Sequence, residues 1–249
     1  MKLFRSITLL GMTLVWLYAL GESRAENTAV AQPLPYDVGL VTELSGNITY
    51  WNEDYQKTPA RAQAFMKIRK GDRFNLPPGA QVQLVYFLGG RQETWKGPVA
   101  ILVGDSESQP EGEDRPETWP KVKVLPAGTT QGVRRIPAIL RRAGLSRPGA
   151  AQVRGNVEAT AAPLELTAEE QAEITAARET YHNLRKQAGA RDITPELYLL
   201  GILADYEQYA EMEEVIQEAL KKQPGNETLK GLREWAQIQS SQSGSPSSK

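Results

Sequence analysis

The chain has 249 residues and a formal charge of −1, from 29 Lys and Arg against 30 Asp and Glu. It holds no cysteine and one histidine. That excludes a disulfide framework, a zinc finger, a thiol nucleophile and a His-rich metal centre. The composition, 40% hydrophobic and 24% charged, is that of a folded protein with room for one or two domains.

Residues 1–5 carry Lys2 and Arg5, residues 6–20 carry no charge, and a polar stretch ending in Ser23-Arg24-Ala25 follows. A basic start, an apolar centre and small residues before a cut form a secretory signal. A spanning helix needs about 20 apolar residues, so a retained anchor fits less well. The pattern predicts a signal peptide over 1–25, cleaved after Ala25 or, as a second site, after Ala31. The protein is expected to be exported, to the periplasm of a Gram-negative-type bacterium.

From Val38 onward the pattern has period two. Runs at 38–42 and 48–51 flank Ser45-Gly46-Asn47, which reads as a hairpin-type turn. Phe74 and Leu76 lead into Pro77-Pro78-Gly79. Residues 81–87 then alternate polar and apolar, as a strand with one wet face does. Gly89-Gly90 and Gly97-Pro98 separate further strands at 92–95 and 99–103, and 121–125 reads as one more. Closely spaced strands with no helical period between them predict an antiparallel β-sandwich or roll.

Val38-Gly39-x-Val41, Leu44-x-Gly46-x-Ile48, Lys70-Gly71-Asp72-x-Phe74, Pro78-Gly79-Ala80-x-Val82-x-Leu84 and Trp95-x-Gly97-Pro98 resemble the periplasmic FecR domain. Arg147-Pro148-Gly149-Ala150-Ala151-x-Val153-Arg154-Gly155 is similar to the Arg-Gly strand that often follows in such domains. The resemblance implies a FecR-like β-domain over 36–157 that binds protein segments. Members that handle a sigma factor carry a cytoplasmic segment ahead of the apolar run. Only residues 1–5 stand there, so a role in sigma-factor control is not expected. The Gly71-Asp72 turn reads as local backbone capping.

The last third has period 3.6. Thr167-Ala168-Glu169-Glu170 is a capping box, followed by a stripe through Ile174, Ala177, Tyr181, Leu184 and Ala188. Thr194-Pro195 opens a second helix with Thr194 as its cap. A third starts near Ala210 and stops at Pro224-Gly225, and Asn226 caps a fourth. Leu200-Gly201, Tyr209, Ile216, Ala219, Leu220 and Pro224 resemble one imperfect tetratricopeptide repeat. The helical segment 165–239 is therefore expected to be a small tetratricopeptide-like cap of three to four helices, with 240–249 as a disordered tail. The predicted fold class is β then α.

Charge is segregated. Residues 26–117 hold 9 basic and 13 acidic side chains, 158–239 hold 8 basic and 16 acidic, and 118–157 hold 8 basic and no acidic ones. Arg134, Arg135, Arg141, Arg142, Arg147 and Arg154 fall within 21 residues, interrupted by Pro137, Gly144, Pro148 and Gly149. That spacing reads as an irregular connector. Its arginines are the candidate partner-binding residues, either for an acidic protein face or for anionic lipid or glycan. Export argues against nucleic acid.

Catalysis has little to work with. His182 reads as a partly exposed helix residue, and Glu53/Asp54 and Glu213/Glu214 lack an apolar setting. The acidic loop 111–117 lacks the spacing of a calcium loop, and Gly89-Gly90-Arg91 precedes a strand, not the helix a phosphate loop needs. Tyr50, Trp51, Tyr86, Phe87, Trp95 and Trp119 offer a glycan-stacking strip only if they share one face. The chain is thus expected to be a non-enzymatic interaction or assembly module of the envelope. An envelope protein is the expected partner, an anionic surface the alternative, and no cofactor or metal is implied.

Overall fold

The computed structural model describes residues 36–112, 119–145 and 166–243. The signal at 1–25, the 113–118 part of the acidic loop, the Arg-Gly run at 147–155 and residues 244–249 lie outside them. Ten strands precede five helices among the described residues. The strands are β1 (Asp37–Ser45), β2 (Thr49–Asn52), β3 (Gln56–Arg61), β4 (Lys67–Arg69), β5 (Arg73–Leu76), β6 (Gln81–Tyr86), β7 (Arg91–Lys96), β8 (Val99–Val103), β9 (Ser108–Pro110) and β10 (Lys121–Val124). The helices are α1 (Thr129–Arg142), α2 (Ala168–Gln187), α3 (Thr194–Asp205), α4 (Tyr209–Lys222) and α5 (Glu227–Ser243). The molecule is an antiparallel β-sandwich followed by a helical segment, as the periodicities predict.

The first sheet has the order β10-β7-β6-β1-β4 and the second β3-β2-β5-β8-β9, with every pairing antiparallel. Gly89-Gly90 joins the true hairpin β6–β7. The Ser45-Gly46-Asn47 turn does not make a hairpin: β1 and β2 belong to different sheets, so the turn is a corner. The corner is tight. A Cβ on Gly46 would sit 2.9 Å from that of Ala80, and the residue has φ 86. The pairing also adds β3, β4 and β9, which carry no apolar alternation. β3 is an exposed edge strand holding Pro59, and β4 and β9 are three residues each.

Between the sheets lies a core of Val38, Val41, Ile48, Tyr50, Phe74, Val82, Leu84, Tyr86, Trp95 and Ile101. Each large apolar side chain fully buried there contributes about 2 kcal/mol. The first sheet has a second covered face. Leu40 of β1 and Val85 of β6 join the helical cluster with Val133, Ile136, Leu200 and Ile216. Residues 38–43 of β1 are therefore buried without interruption.

This corrects the reading of residues 81–87. Gln83 is 3% exposed and Gln92 4% exposed, so the polar face of β6 and β7 is not wet. Gln83 Nε2 donates to Asp192 Oδ1 at 2.9 Å and Thr194 Oγ1 at 3.1 Å, and Gln92 Nε2 donates to Thr194 Oγ1 at 2.9 Å. Beside them Arg191 reaches the buried Glu43 at 2.9 Å. The helices do more than lean on the β-sandwich. They form its third layer.

α2 opens on the predicted capping box, Glu170 N–H to Thr167 Oγ1 at 3.2 Å and Thr167 N–H to Glu170 Oε2 at 2.8 Å. α3 is capped otherwise than expected: Asp192 accepts from the N–H of Thr194, leaving the Thr194 hydroxyl for the two glutamines. α3 is buried from Thr194 through Ala204. Its Glu196 carboxylate meets Lys222 at 2.8 Å and Arg185 at 3.3 Å. α5 begins with Asn226 accepting from Leu229 N–H, as predicted, but continues to Ser243, so 240–243 belong to a helix. No helix among the described residues is long and apolar enough to cross a membrane.

Candidate functional site

Residues 129–142, predicted as irregular, form α1. A proline inside a helix removes one hydrogen bond and costs about 3 kcal/mol. Burial of Val133, Ile136, Ile139 and Leu140 on one face of α1 outweighs that cost. Gly144 ends the helix rather than interrupting a linker. At φ 72 it sits one residue past the cap, and Leu145 N–H returns to Leu140 O at 2.8 Å, the Schellman pattern.

A helix at this position sorts the arginines. Arg134 and Arg141, seven apart, lie on one flank, and Arg135 and Arg142 on the other. Arg134 is exposed, with its guanidinium 4.8 Å from the centroid of the Phe87 ring. Arg141 is exposed and has no ion-pair partner among the described residues. Arg135 is bound to Asp205 at 2.8 Å, so it ties α1 to the end of α3. Arg142 lies beside the Tyr209 hydroxyl; burial and Glu207 push that phenol up and the guanidinium pulls against them. Four of the six predicted residues therefore share one element, three of them open to solvent. Arg147 and Arg154 lie outside the described residues.

The other candidates resolve differently. His182 is exposed on α2. Tyr50, Tyr86 and Trp95 are 3%, 0% and 0% exposed, so no glycan-stacking strip assembles, and of the six aromatics only Trp119 is largely exposed. Asp72 is the backbone cap that its Gly-Asp turn suggests. Its carboxylate accepts from Arg69 N–H at 2.8 Å and Asn52 Nδ2 at 2.8 Å, and from the Tyr55 hydroxyl. Burial raises the Asp72 carboxyl against these donors. Among the described residues no three His, Cys, Asp or Glu side chains are grouped to hold a metal.

Sequence reasoning missed a cleft beside α1, about 460 Å³ in volume. One wall is the loop 62–66 and β4, the other the end of α1 with Leu145 and Thr228. Lys67 and Arg69 line it and share Asp37, at 2.5 and 3.1 Å. Burial alone would raise the Asp37 carboxyl, but the two cations overcome it and hold it below the usual carboxylate value. Arg69 also lies 4.8 Å over the Tyr55 ring. The signal available in the sequence was Lys67-x-Arg69-Lys70, a basic run in an acidic segment.

No family model matches the chain, and neither a curated protein nor a solved structure matches it.

Proposed function

We propose that the protein is an exported, non-enzymatic interaction module of the bacterial envelope, which holds an acidic partner protein against α1. One observation carries this reading. α1 turns its whole apolar face inward and leaves Arg134, Arg141 and Arg142 exposed on a helix locked to the sheet. A cationic face on a rigid element loses little entropy when it binds, and guanidinium forks pair well with carboxylates. The FecR-like and tetratricopeptide-like resemblances point to protein partners as well. The same arginines leave a second reading, an anionic glycan or lipid surface.

The test is capture from envelope extracts with wild type and an Arg134/Arg141/Arg142→Ala variant. Arg135 stays, because its link to Asp205 belongs to the fold. The variant should lose a partner that wild type retains, and the loss should be mimicked by high salt. A variant that keeps every partner overturns the proposal. Sedimentation of the purified protein with anionic vesicles at low salt, abolished in the variant, would favour the second reading.

A further inference from the structure

The cleft beside α1 joins two parts of the chain that are far apart in sequence. Its floor is apolar, with Phe65 and Leu140 only 4% and 7% exposed. Its rim is cationic from both sides: Lys67 and Arg69 on the β4 wall, Arg141 on the α1 wall. Asp37 supplies one carboxylate to the first two, and Arg141 has none among the described residues. The recess therefore keeps an excess of positive charge above an apolar floor.

The backbone at this floor is unusual. Phe65 has φ 62, a region that bulky residues seldom adopt. Two hydrogen bonds to β1 hold it there, Phe65 N–H to Val41 O at 2.8 Å and Val41 N–H to Met66 O at 2.9 Å. Such residues persist where the surroundings over-determine them, and they cluster at ligand clamps. Here the strained residue forms the floor, while part-buried Met66 and Lys67 line the same opening.

The geometry points to this cleft as the seat of a short acidic peptide segment of the partner protein. One apolar side chain lies on the Phe65–Leu140 floor, and flanking Asp or Glu carboxylates meet Arg141 on one wall and Lys67 on the other. The inference rests on the protein-binding reading above and gives the partner its chemistry. The volume of about 460 Å³ lies in the range of small-ligand sites, enough for a side chain and its flanks. Cations on two walls of a recess do not share a plane, which suits a peptide entering the recess better than a membrane surface passing over it.

The probe is a fluorescein-labelled peptide alternating Glu with Leu, read by anisotropy on the full chain at low salt. Its twin carries Gln in place of Glu. The Glu peptide should bind about tenfold more tightly than its twin. Arg141→Ala, on an exposed side chain, should weaken it about fivefold, and Met66→Asp should remove it. Lys186→Ala, on α2 outside the cleft, should change nothing. Equal affinity for both peptides, no binding at low salt, or an unchanged Arg141→Ala overturns the inference. Envelope capture separates this from the parent proposal. If Arg134/Arg142→Ala loses the partner while Met66→Asp keeps it, the partner binds α1 and the cleft is not its seat.

Discussion

Asp192 is a single side chain on which three elements meet. It is 9% exposed, accepts from Gln83 and Gln92 across the sheet, and caps α3 through Thr194 N–H. Asp192→Ala would take one acceptor from each of the two buried glutamine amides, leaving them to share Thr194 Oγ1, and would uncap a helix, costing about 2–3 kcal/mol in urea unfolding. Asp192→Asn retains a carbonyl acceptor and should lose less than half as much. Equal losses for the two variants would show that the cap and the glutamine bonds contribute nothing. Tyrosines carry a second prediction at this scale. Burial and Glu196 push Tyr181 up to about 12, and its hydrogen bond to Glu173 does the same for Tyr206. A phenol whose folded value exceeds the unfolded value of about 10 binds its proton more tightly in the folded state. Its contribution is therefore intact below pH 10 and is lost as pH rises towards 12. Absorbance titration should show these phenols ionising later than in the urea-unfolded chain. The urea midpoint should fall between pH 10 and 12, and Tyr181→Phe should flatten that fall.

α1 and α3 cross with their backbones in close contact. A Cβ on Gly201 would lie 2.1 Å from Gly132 O, and one on Gly132 would lie 2.2 Å from Tyr198 O. Both obstacles are backbone, so neither helix can yield by a rotamer change. Gly201→Ala should cost roughly 2–3 kcal/mol, seen as a lowered thermal midpoint. Gly225→Ala, whose Cβ meets nothing within 4 Å, is the matched control. This contact also shows what the sequence could and could not convey. Leu200-Gly201 was legible as part of a repeat-like helix, but which helix would press on Gly201 was not, because α1 was hidden by Pro137. Local helix signals failed there since the stabilising term is burial of four apolar residues against elements far away in sequence. The Gln83 alternation misled for a related reason. Period two reports which residues share a face, whereas what covers that face depends on helices a hundred residues later. The same limit applied to the candidate site: the arginines were legible, and the cleft, built from β4 and α1 together, was not.

The molecule as a whole is held by a sheet whose inner strands β1 and β6 are covered on both faces. If the β-sandwich and helices were independent, Leu40, Val85, Gln83 and Gln92 would be exposed on one and α1 and α3 on the other. Instead Leu40 and Val85 share one cluster with the helices, the two glutamines bond Asp192 and Thr194, and Arg191–Glu43 reinforces the boundary. Charge is arranged likewise. The basic stretch that stood apart in sequence is stitched through Arg135 to Asp205, so part of its excess is answered inside the helical layer, while Arg134, Arg141 and Arg142 face outward. The described residues accordingly all fall within one compact unit. Separating the layers would expose apolar area and buried amides at once, so partial unfolding offers no stable halfway state. The chain should therefore melt in one transition. In a variant carrying Trp235→Phe in α5, tryptophan fluorescence reports the β-sandwich, including the fully buried Trp95, and it and far-ultraviolet dichroism, dominated by the helices, should give coincident urea midpoints. Asp192→Ala should move both midpoints together. A variant in which the helical signal falls first, with Trp95 still buried, would mean that the sandwich stands alone and that its second face tolerates water.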